Sequence, residues 1–270
     1  MTSGWLGSEM STISLEVANR VAWITIDRPE RMNAFDVDTH EAFTAAIDQV
    51  QGDDDIQLAV ITGQGDRAFC AGRDLKWTAE MSRATPEAQA DVERRMAALS
   101  RFQFRFDITK PVIARINGVA LGGGLELALA CDILIAADHV EMGLPEARRG
   151  LIAGAMGIHR LPRQIPHHLA MGYLLTGRHF SAERAATMGL VNQVVPMGQL
   201  DDAVDEWVAD VLRCSPAALQ ATKQSALEAL HLPLSEATTY VSDAEAAWRV
   251  GPDRIEGPRA FAEKRTPNWS

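Results

Sequence analysis

Two short segments of the chain each bring a glycine-supported backbone N–H to the end of an apolar run. Residues 68–75 read Ala-Phe-Cys-Ala-Gly-Arg-Asp-Leu, and residues 117–126 read Asn-Gly-Val-Ala-Leu-Gly-Gly-Gly-Leu-Glu. The second segment ends in a carboxylate, Glu126, and another carboxylate, Glu146, follows twenty residues later. Two fixed N–H donors and two acids are the groups that an enzyme needs to stabilise an enolate while protons move beside it.

The order and spacing of these motifs resemble those of the crotonase superfamily, the enoyl-CoA hydratase and isomerase group, over nearly the whole chain. A run of glycines alone would more often mark a turn, so it is the combination of motifs that carries the resemblance. By this resemblance, the backbone N–H groups of Arg73 and Gly123 form an oxyanion hole for a thioester oxygen. Each such donor typically contributes about 3–4 kcal/mol to transition-state stabilisation.

Glu126 and Glu146 are the candidates for acid–base catalysis. The apolar neighbours of Glu126 predict its burial, and a buried carboxylate beside a second one shares a proton with it, so that the two pKa values separate. By the resemblance, Glu126 activates water and Glu146 delivers a proton to the α-carbon. Isomerases of this family generally rely on one acid near position 146, so the pair favours a hydratase. Gly154 matches the glycine whose N–H holds the water, although Ala153 and Met156 depart from the usual sequence around it.

Coenzyme A is expected to be part of the substrate, and we expect neither a metal nor a redox cofactor. By the resemblance, the adenine and pantetheine lie against backbone near Ala34 and residues 68–71. A basic residue of the C-terminal segment, often from a neighbouring subunit, meets the phosphate; Lys264 fits this position, and a solvated helix end explains it equally well. The Arg73 side chain is free to shape the acyl pocket, which Trp77 and Trp248 could also line. The candidates for substrate binding are therefore Ala34, Ala68, Ala71, Gly72, Asp74, Leu75 and Lys264.

Three alternatives to a general enoyl-CoA hydratase stay open. Residues 144–147 and 256–265 resemble those of carnitinyl-CoA dehydratase-like members, but Arg73 occupies a position where those members often have tryptophan. Enoyl-CoA isomerase activity is the second alternative. A non-catalytic or RNA-associated homologue is the third. The intact acid pair counts against it, as does the net charge of −10, because a nucleic-acid surface needs a basic face.

The composition is that of a soluble globular protein and predicts no nucleic-acid or membrane partner. The 270 residues are 47% hydrophobic and 23% charged, enough for one large domain or a core with a small helical appendage. The most apolar stretch, residues 116–137, is interrupted by glycines and acids, which indicates a buried core segment. The first twenty residues show no secretory signal and the three cysteines form no CxxC pair, so we expect reduced thiols and a cytoplasmic protein.

The elements that must position the chemical groups alternate in type through the first two-thirds of the chain. Apolar runs predict strands, and apolar residues at helical spacing predict helices. Alternation alone would predict an ordinary doubly wound parallel sheet, followed by a helical final third that sits apart from it. The predicted strands are residues 21–26, 57–62, 111–116 and 132–137, and the predicted helices are residues 38–51, 85–101 and 122–130, with later helix starts near Ser181, Leu200, Pro216, Pro233 and Pro252.

The resemblance implies a different α/β architecture, a crotonase-like spiral of repeated ββα units with a C-terminal helical region. It implies a spiral core domain at residues 1–200 and a helical region at residues 201–270 that is used in trimer assembly. We therefore expect a homotrimer or homohexamer in which a neighbouring subunit partly completes each coenzyme A site.

Overall fold

The computed structural model of the chain describes residues 12–270, so the first eleven residues of the predicted core domain lie outside the described range. Within residues 12–270 the strands form one sheet of six and one of four. The strands are β1 (Ile13–Ala18), β2 (Val21–Ile26), β3 (Leu58–Gly63), β4 (Ala68–Cys70), β5 (Val112–Ile116), β6 (Val119–Leu121), β7 (Ile133–Ala137), β8 (Glu141–Gly143), β9 (His179–Ser181) and β10 (Gln193–Val195).

Helices follow most of the strands, and capping side chains begin several of them. Asp36 accepts a hydrogen bond from the N–H of Thr39, and Asp74 accepts one from the N–H of Trp77. The helices are α1 (Val37–Gly52), α2 (Leu75–Met81), α3 (Pro86–Ala98), α4 (Gly123–Ala128), α5 (Gly157–Gln164), α6 (His167–Thr176), α7 (Ala182–Thr187), α8 (Leu200–Leu212), α9 (Pro216–Glu228), α10 (Leu234–Ala237), α11 (Asp243–Val250) and α12 (Asp253–Glu263).

From β3 to β8, successive strands alternate between the two sheets. The larger sheet has the order β1-β2-β3-β5-β7-β10 and the smaller has the order β4-β6-β8-β9. The pairs β3–β4, β5–β6 and β7–β8 therefore each give one strand to each sheet, and a helix follows each pair. This is the repeated ββα unit that the family resemblance predicts. The doubly wound sheet that alternation alone would predict is wrong, because that reading overlooks the strands of the smaller sheet, which are three residues long.

The larger sheet lies at the centre of the hydrophobic core. All six residues of β3 are buried, as expected for a strand that is covered on both faces and reads as one apolar run. Helix α1 contributes Phe43, Ile47 and Val50 to this core, and α8 contributes Val204 and Val208. No helix within residues 12–270 is long and apolar enough to cross a bilayer.

The final third of the chain is mostly helical, but it does not sit wholly apart from the sheet. β10 pairs in parallel with β7 and extends the larger sheet by one strand. The predicted helix starts at Ser181, Pro233 and Pro252 are the N-caps of α7, α10 and α12, and α8 and α9 begin at Leu200 and Pro216 as predicted. The predicted boundary between residues 200 and 201 falls in the first turn of α8, which packs on the core.

Candidate active site

Three parallel strands of the smaller sheet end side by side. β6 pairs in parallel with β4 and with β8, and the three strands end at Cys70, Leu121 and Gly143. Because the carboxyl ends of parallel strands meet at one edge of a sheet, the segments that follow them are brought together. Those segments carry Arg73, Gly123 and Glu146, three of the residues that the sequence singles out.

The N–H groups of Arg73 and Gly123 lie on adjoining loops at this edge. Gly72 has a φ of +86°, and a Cβ on it would lie 2.7 Å from the nitrogen of Gly123. A Cβ on Gly123 would in turn lie 3.7 Å from the nitrogen of Arg73. Position 72 therefore needs glycine, both for its backbone conformation and for the close approach of the two loops. Neither N–H has a hydrogen-bond acceptor among the described residues, so both are available to a ligand.

Helix α4 places Glu126 in the interior, where the side chain is 3% exposed. The N–H of Gly157 donates to its Oε1 at 2.9 Å. Burial raises the pKa of Glu126 to about 7, and the nearby charge of Glu146 adds to the rise. Hydrogen bonds from the backbone of Gly157 and Ala155 and the charge of Arg101 act in the opposite direction. Near neutral pH this carboxyl group is therefore able to accept or to give a proton.

Glu146 is half-buried at the start of a short 3-10 turn, Glu146–Arg149. Its Oε1 lies beside Gly122, where a Cβ would be 3.1 Å away, so the carboxyl group borders the glycine run. Its Oε2 is buried and has no hydrogen-bond partner among residues 12–270. Burial raises the pKa of Glu146, against the smaller effects of its own backbone N–H and of Arg149. Such an unpaired buried oxygen is a group that a ligand can satisfy.

The segment that follows Glu146 differs in one respect from the sequence expectation. The N–H of Gly154, expected to hold the attacking water, donates instead to the carbonyl of Ile152 at 2.8 Å. The glycine of this segment that contacts Glu126 is Gly157, which no sequence motif indicated. A Cβ on Gly157 would lie 2.9 Å from Oε1 of Glu126, so a larger residue here would displace the carboxyl group.

Two cavities meet at these groups. The outer cavity has a volume of about 350 Å³ and the more enclosed inner cavity about 500 Å³. Arg73, Gly123 and Glu146 line both, whereas Glu126 lines only the inner one. Four of the predicted substrate-binding residues line the outer cavity, and these are Ala34, Ala71, Asp74 and Leu75. Gly72, Trp77 and Gly154 line the inner cavity.

Other predicted residues lie elsewhere. Ala68 is 2% exposed within β4, and its carbonyl accepts a hydrogen bond from Asn33 Nδ2 at 2.7 Å. Ala68 lines neither cavity, and its contact with coenzyme A stays a prediction. Lys264 and Trp248 line two separate surface hollows, and Trp269 lines both. Within one chain Lys264 does not reach either cavity, so its predicted phosphate contact requires a neighbouring subunit. Trp248, which was expected to line the acyl pocket, does not line it within one chain.

Arg28 holds the rim of the outer cavity, although no sequence motif points to it. Its guanidinium pairs with Asp36 at 2.7 Å and Asp74 at 3.3 Å, and donates to the carbonyl of Ala34. Because Asp36 and Asp74 cap α1 and α2, one arginine joins the starts of two helices to the backbone of the cavity rim. No local motif marks this residue, since its partners lie up to 46 positions away.

Asn117 ties the second glycine segment to the first repeat unit. Its Nδ2 donates to the carbonyls of Gly63 at 2.7 Å and Gly65 at 2.6 Å, and its Oδ1 accepts from the N–H of Gly63 at 3.2 Å. The side chain is fully buried, so these bonds are needed to satisfy its polar atoms. The Asn-Gly dipeptide was part of the motif that carried the family resemblance, so the sequence did contain a signal for this structural residue.

Comparisons with known proteins agree with this geometry. A family model described as Enoyl-CoA hydratase/isomerase matches residues 16–270. The (E)-benzylidenesuccinyl-CoA hydratase of Thauera aromatica is 38% identical over 94% of this chain and 97% of that protein. A carnitinyl-CoA dehydratase of Salmonella arizonae is 38% identical over 91% of this chain and 93% of that protein. Crystal structures of enoyl-CoA hydratases from Bacillus anthracis (33% identity, TM-score 0.86, 96% and 98% coverage) and Mycobacterium tuberculosis H37Rv (36% identity, TM-score 0.84, 96% and 99% coverage) have the same fold.

Proposed function

The chain belongs to the enoyl-CoA hydratase/isomerase family and has the crotonase fold that its sequence predicts, and from this premise we propose that it is an enoyl-CoA hydratase. It would add water syn across the 2,3-double bond of an enoyl-CoA thioester. One observation carries the proposal: two N–H groups without acceptors and two carboxyl groups of raised pKa line a single cavity. The names of two relatives, a hydratase and a dehydratase, both describe the addition or removal of water.

The thioester oxygen lies between the N–H groups of Arg73 and Gly123 in this proposal. As water adds to C3, negative charge moves onto that oxygen, and donors that are already in place stabilise it without reorganisation. The two cavities meet at these donors, so the acyl chain extends into the inner cavity and the coenzyme A moiety into the outer one. The basic side chains of Arg31, Lys76 and Arg149 on the outer cavity suit the phosphates.

The two glutamates divide the proton transfers. Glu126 takes a proton from water while the water oxygen bonds to C3, and the electrons of the double bond move towards the thioester oxygen. Glu146 then gives its proton to C2 of the enolate. The product carries hydroxyl on C3 and hydrogen on C2, and a proton returns from Glu126 to Glu146 through solvent to restore the pair. None of these steps draws on a metal or a redox cofactor.

The pH profile of turnover follows from these roles. Glu126 must be ionised to accept a proton and Glu146 must be protonated to give one, and burial raises the pKa of both groups. We therefore expect kcat/KM to pass through a maximum and to fall at both lower and higher pH. Because the two carboxyl groups interact, the two limbs of the profile belong to the pair.

Crotonyl-CoA gives the direct test, since hydration removes the absorbance of the enoyl thioester. The expected product has gained the mass of one water, whereas an isomerase would leave the mass of a 3-enoyl substrate unchanged. A folded protein that turns over no enoyl-CoA in a panel of chain lengths would contradict the proposal and favour the non-catalytic alternative. A carnitinyl-CoA dehydratase-like enzyme would use the same site and differ in its acyl group.

The C-terminal helices support a proposal on assembly. Large apolar side chains there are exposed in the single chain, and we define the C-terminal apolar set as Leu230, Leu234, Val250, Ile255 and Phe261. Exposed apolar side chains concentrated in one region indicate a protein interface. We propose a homotrimer or a homohexamer in which this region packs on a neighbouring subunit and Lys264 reaches that subunit's coenzyme A. Light scattering at micromolar concentration would test this, and a monomer mass would contradict it.

A further inference from the structure

Two arginines line the inner cavity without a carboxylate partner. Neither the guanidinium of Arg73 nor that of Arg101 lies within 4.0 Å of a carboxylate oxygen or donates a hydrogen bond within the part of the chain that the structure describes. Arg101 lies over the ring of Phe104, with 4.6 Å between its Cζ and the ring centroid. That contact is with an aromatic ring, so it provides no acceptor for the N–H groups of the guanidinium. Arg28, by contrast, is fully engaged at the rim of the outer cavity.

The two positive charges act on the same part of the cavity. His40 also lines it, and burial together with the charges of Arg101 and Arg73 lowers the pKa of His40 to about 4, against the opposing effect of Asp36. Burial lowers the pKa of Arg101, and the charge of Arg73 lowers it further. This part of the wall therefore holds two cations that repel each other beside a neutral imidazole.

The acidic groups on the same cavity do not neutralise these cations. Asp36 is paired with Arg28 at 2.7 Å, and Glu93 is exposed on α3. Glu126 attracts Arg101 from beyond 4.0 Å, but its own pKa is raised, and Glu146 is the other proton-transfer group. Arg101 is half-buried and Arg73 is exposed. A half-buried guanidinium without a counter-ion is unfavourable, so an anion supplied by a ligand would be bound strongly beside Arg101.

We propose that the inner cavity takes acyl groups that carry a carboxylate, bound by the guanidinium groups of Arg101 and Arg73. This inference rests on the proposed function, because it assigns the acyl chain of a coenzyme A thioester to the inner cavity. It names the substrate class as enoyl-CoA thioesters of dicarboxylic acids. Acyl groups that end in a quaternary ammonium are disfavoured, since they would place a third positive charge beside the arginines.

Binding of saturated thioesters tests the inference without requiring turnover. Glutaryl-CoA and pentanoyl-CoA have five acyl carbons each and differ in a terminal carboxylate, and calorimetry at low salt measures both. We expect glutaryl-CoA to bind at least about tenfold more tightly, as for a charge-assisted hydrogen bond. The same comparison is made with a shorter pair, succinyl-CoA and butyryl-CoA, and a longer pair, adipyl-CoA and hexanoyl-CoA. These pairs place the carboxylate at different distances from the thioester, so one of them can match the position of the arginines. Arg101→Gln should remove the preference, whereas Arg163→Gln, at an exposed arginine of α5, should retain it.

Turnover separates failure of this inference from failure of the proposed function. The substrates are 2-hexenoyl-CoA, its six-carbon analogue with a terminal carboxylate, and a 2-enoyl-CoA that bears a trimethylammonium group. The wild type should show the highest kcat/KM with the carboxylate and the lowest with the cation, and Arg101→Gln should remove this order. Hydration of all three at equal rates, or equal binding of each saturated pair, would overturn the anion site and leave the hydratase intact. Preferential binding of glutaryl-CoA without hydration of any of the three substrates would support the anion site and contradict the proposed hydratase activity.

Discussion

The inner cavity and the C-terminal helices are both incompletely satisfied in the single chain, but in opposite ways. In the cavity the unsatisfied groups are polar: two backbone N–H groups, the Oε2 of Glu146 and the guanidinium of Arg101 have no hydrogen-bond partner within residues 12–270. In the C-terminal helices the unsatisfied groups are apolar. Val250 and Phe261 are 89% and 87% exposed, although side chains of these types are usually buried.

This difference between the cavity and the C-terminal helices indicates that the two regions bind different kinds of partner. Unpaired polar groups inside a concave site are completed by a small ligand with matching charge and hydrogen-bonding groups. Exposed apolar side chains are completed by another protein surface. Changes in the cavity should therefore alter rate and leave the mass of the assembly unchanged. Changes in the C-terminal apolar set should alter the mass first and the rate only secondarily.

The largest expected effect is on turnover, from the acid pair. Glu126→Gln and Glu146→Gln should each lower kcat with crotonyl-CoA by about 10²–10⁴-fold, because each removes one of the two groups that transfer protons in our proposal. The double variant should lose little more than the worse single variant, since the two groups act as one unit. Glu141→Gln is the matched control, because Glu141 is an exposed acid on β8. Near-wild-type turnover in either single variant would exclude the two-acid mechanism. A changed oligomer mass would show that changes in the cavity also affect assembly.

The proposed oxyanion donors should give the next largest effect. Gly123→Pro removes one N–H at the first residue of α4, a position that accepts proline, and should lower kcat by about 10²–10³-fold. Gly123→Ala keeps the donor, and its Cβ would meet only ordinary contacts of 3.4 Å and longer, so it should fold and lose less. Gly124→Ala would place a Cβ 1.8 Å from the carbonyl oxygen of Cys70 and should destabilise the fold itself.

Circular dichroism and light scattering distinguish these three variants. Gly123→Pro and Gly123→Ala should keep the wild-type spectrum and mass, and Gly124→Ala should not. A folded Gly123→Pro variant that hydrates crotonyl-CoA at the wild-type rate would show that Gly123 is a packing glycine only.

Much of the site could be predicted from the sequence because its motifs are local. Arg73, Gly123, Glu126 and Glu146 all line the inner cavity, and each lies within a short segment that determines its own backbone geometry. The second sheet could not be predicted from pattern, because its strands are three residues long and show no period. The spiral was accessible only through the family resemblance.

Interactions between distant segments of the chain could not be predicted from the sequence. The bond from Gly157 to Glu126 spans 31 positions and that from Arg28 to Asp74 spans 46. The engagement of the Gly154 N–H by Ile152 was equally unpredictable, since it depends on how the loop after Glu146 closes. Arg101 is part of no sequence motif. Its significance is that it lines the inner cavity without a carboxylate partner, and only the folded chain forms that cavity.

The C-terminal apolar set should affect assembly more than chemistry. Val250→Asp with Phe261→Asp would place charge on two exposed apolar positions of α11 and α12, and should convert a trimer or hexamer into monomers. Because a neighbouring Lys264 contributes one charge-assisted contact in our proposal, kcat/KM should fall by about tenfold, mainly through KM. Val17→Asp, at an exposed apolar residue of β1, is the matched control. An unchanged mass in the double variant would show that the C-terminal apolar set does not hold the oligomer together.

One change in the cavity should also affect stability, in the opposite direction to its effect on activity. The folded-state pKa of Glu126, about 7, lies above its ordinary value of 4.5 because burial disfavours the charge. Between these two pH values the native state therefore binds more protons than the unfolded state, so this group lowers stability progressively as the pH rises through that window. Above it the full cost, roughly 3 kcal/mol, is present.

Glu126→Gln cannot ionise, and its amide oxygen can still accept the hydrogen bond from Gly157. At pH 8 the variant should therefore melt several degrees above the wild type, and the difference should shrink towards zero near pH 5. Thermal unfolding across this pH range, followed by circular dichroism at fixed protein concentration, measures it. A variant that is less stable at pH 8, or a difference that does not change with pH, would mean that the Glu126 carboxyl group is not held at a cost to stability. An inactive but more stable variant would show that the Glu126 carboxyl group is retained for turnover at a cost to stability.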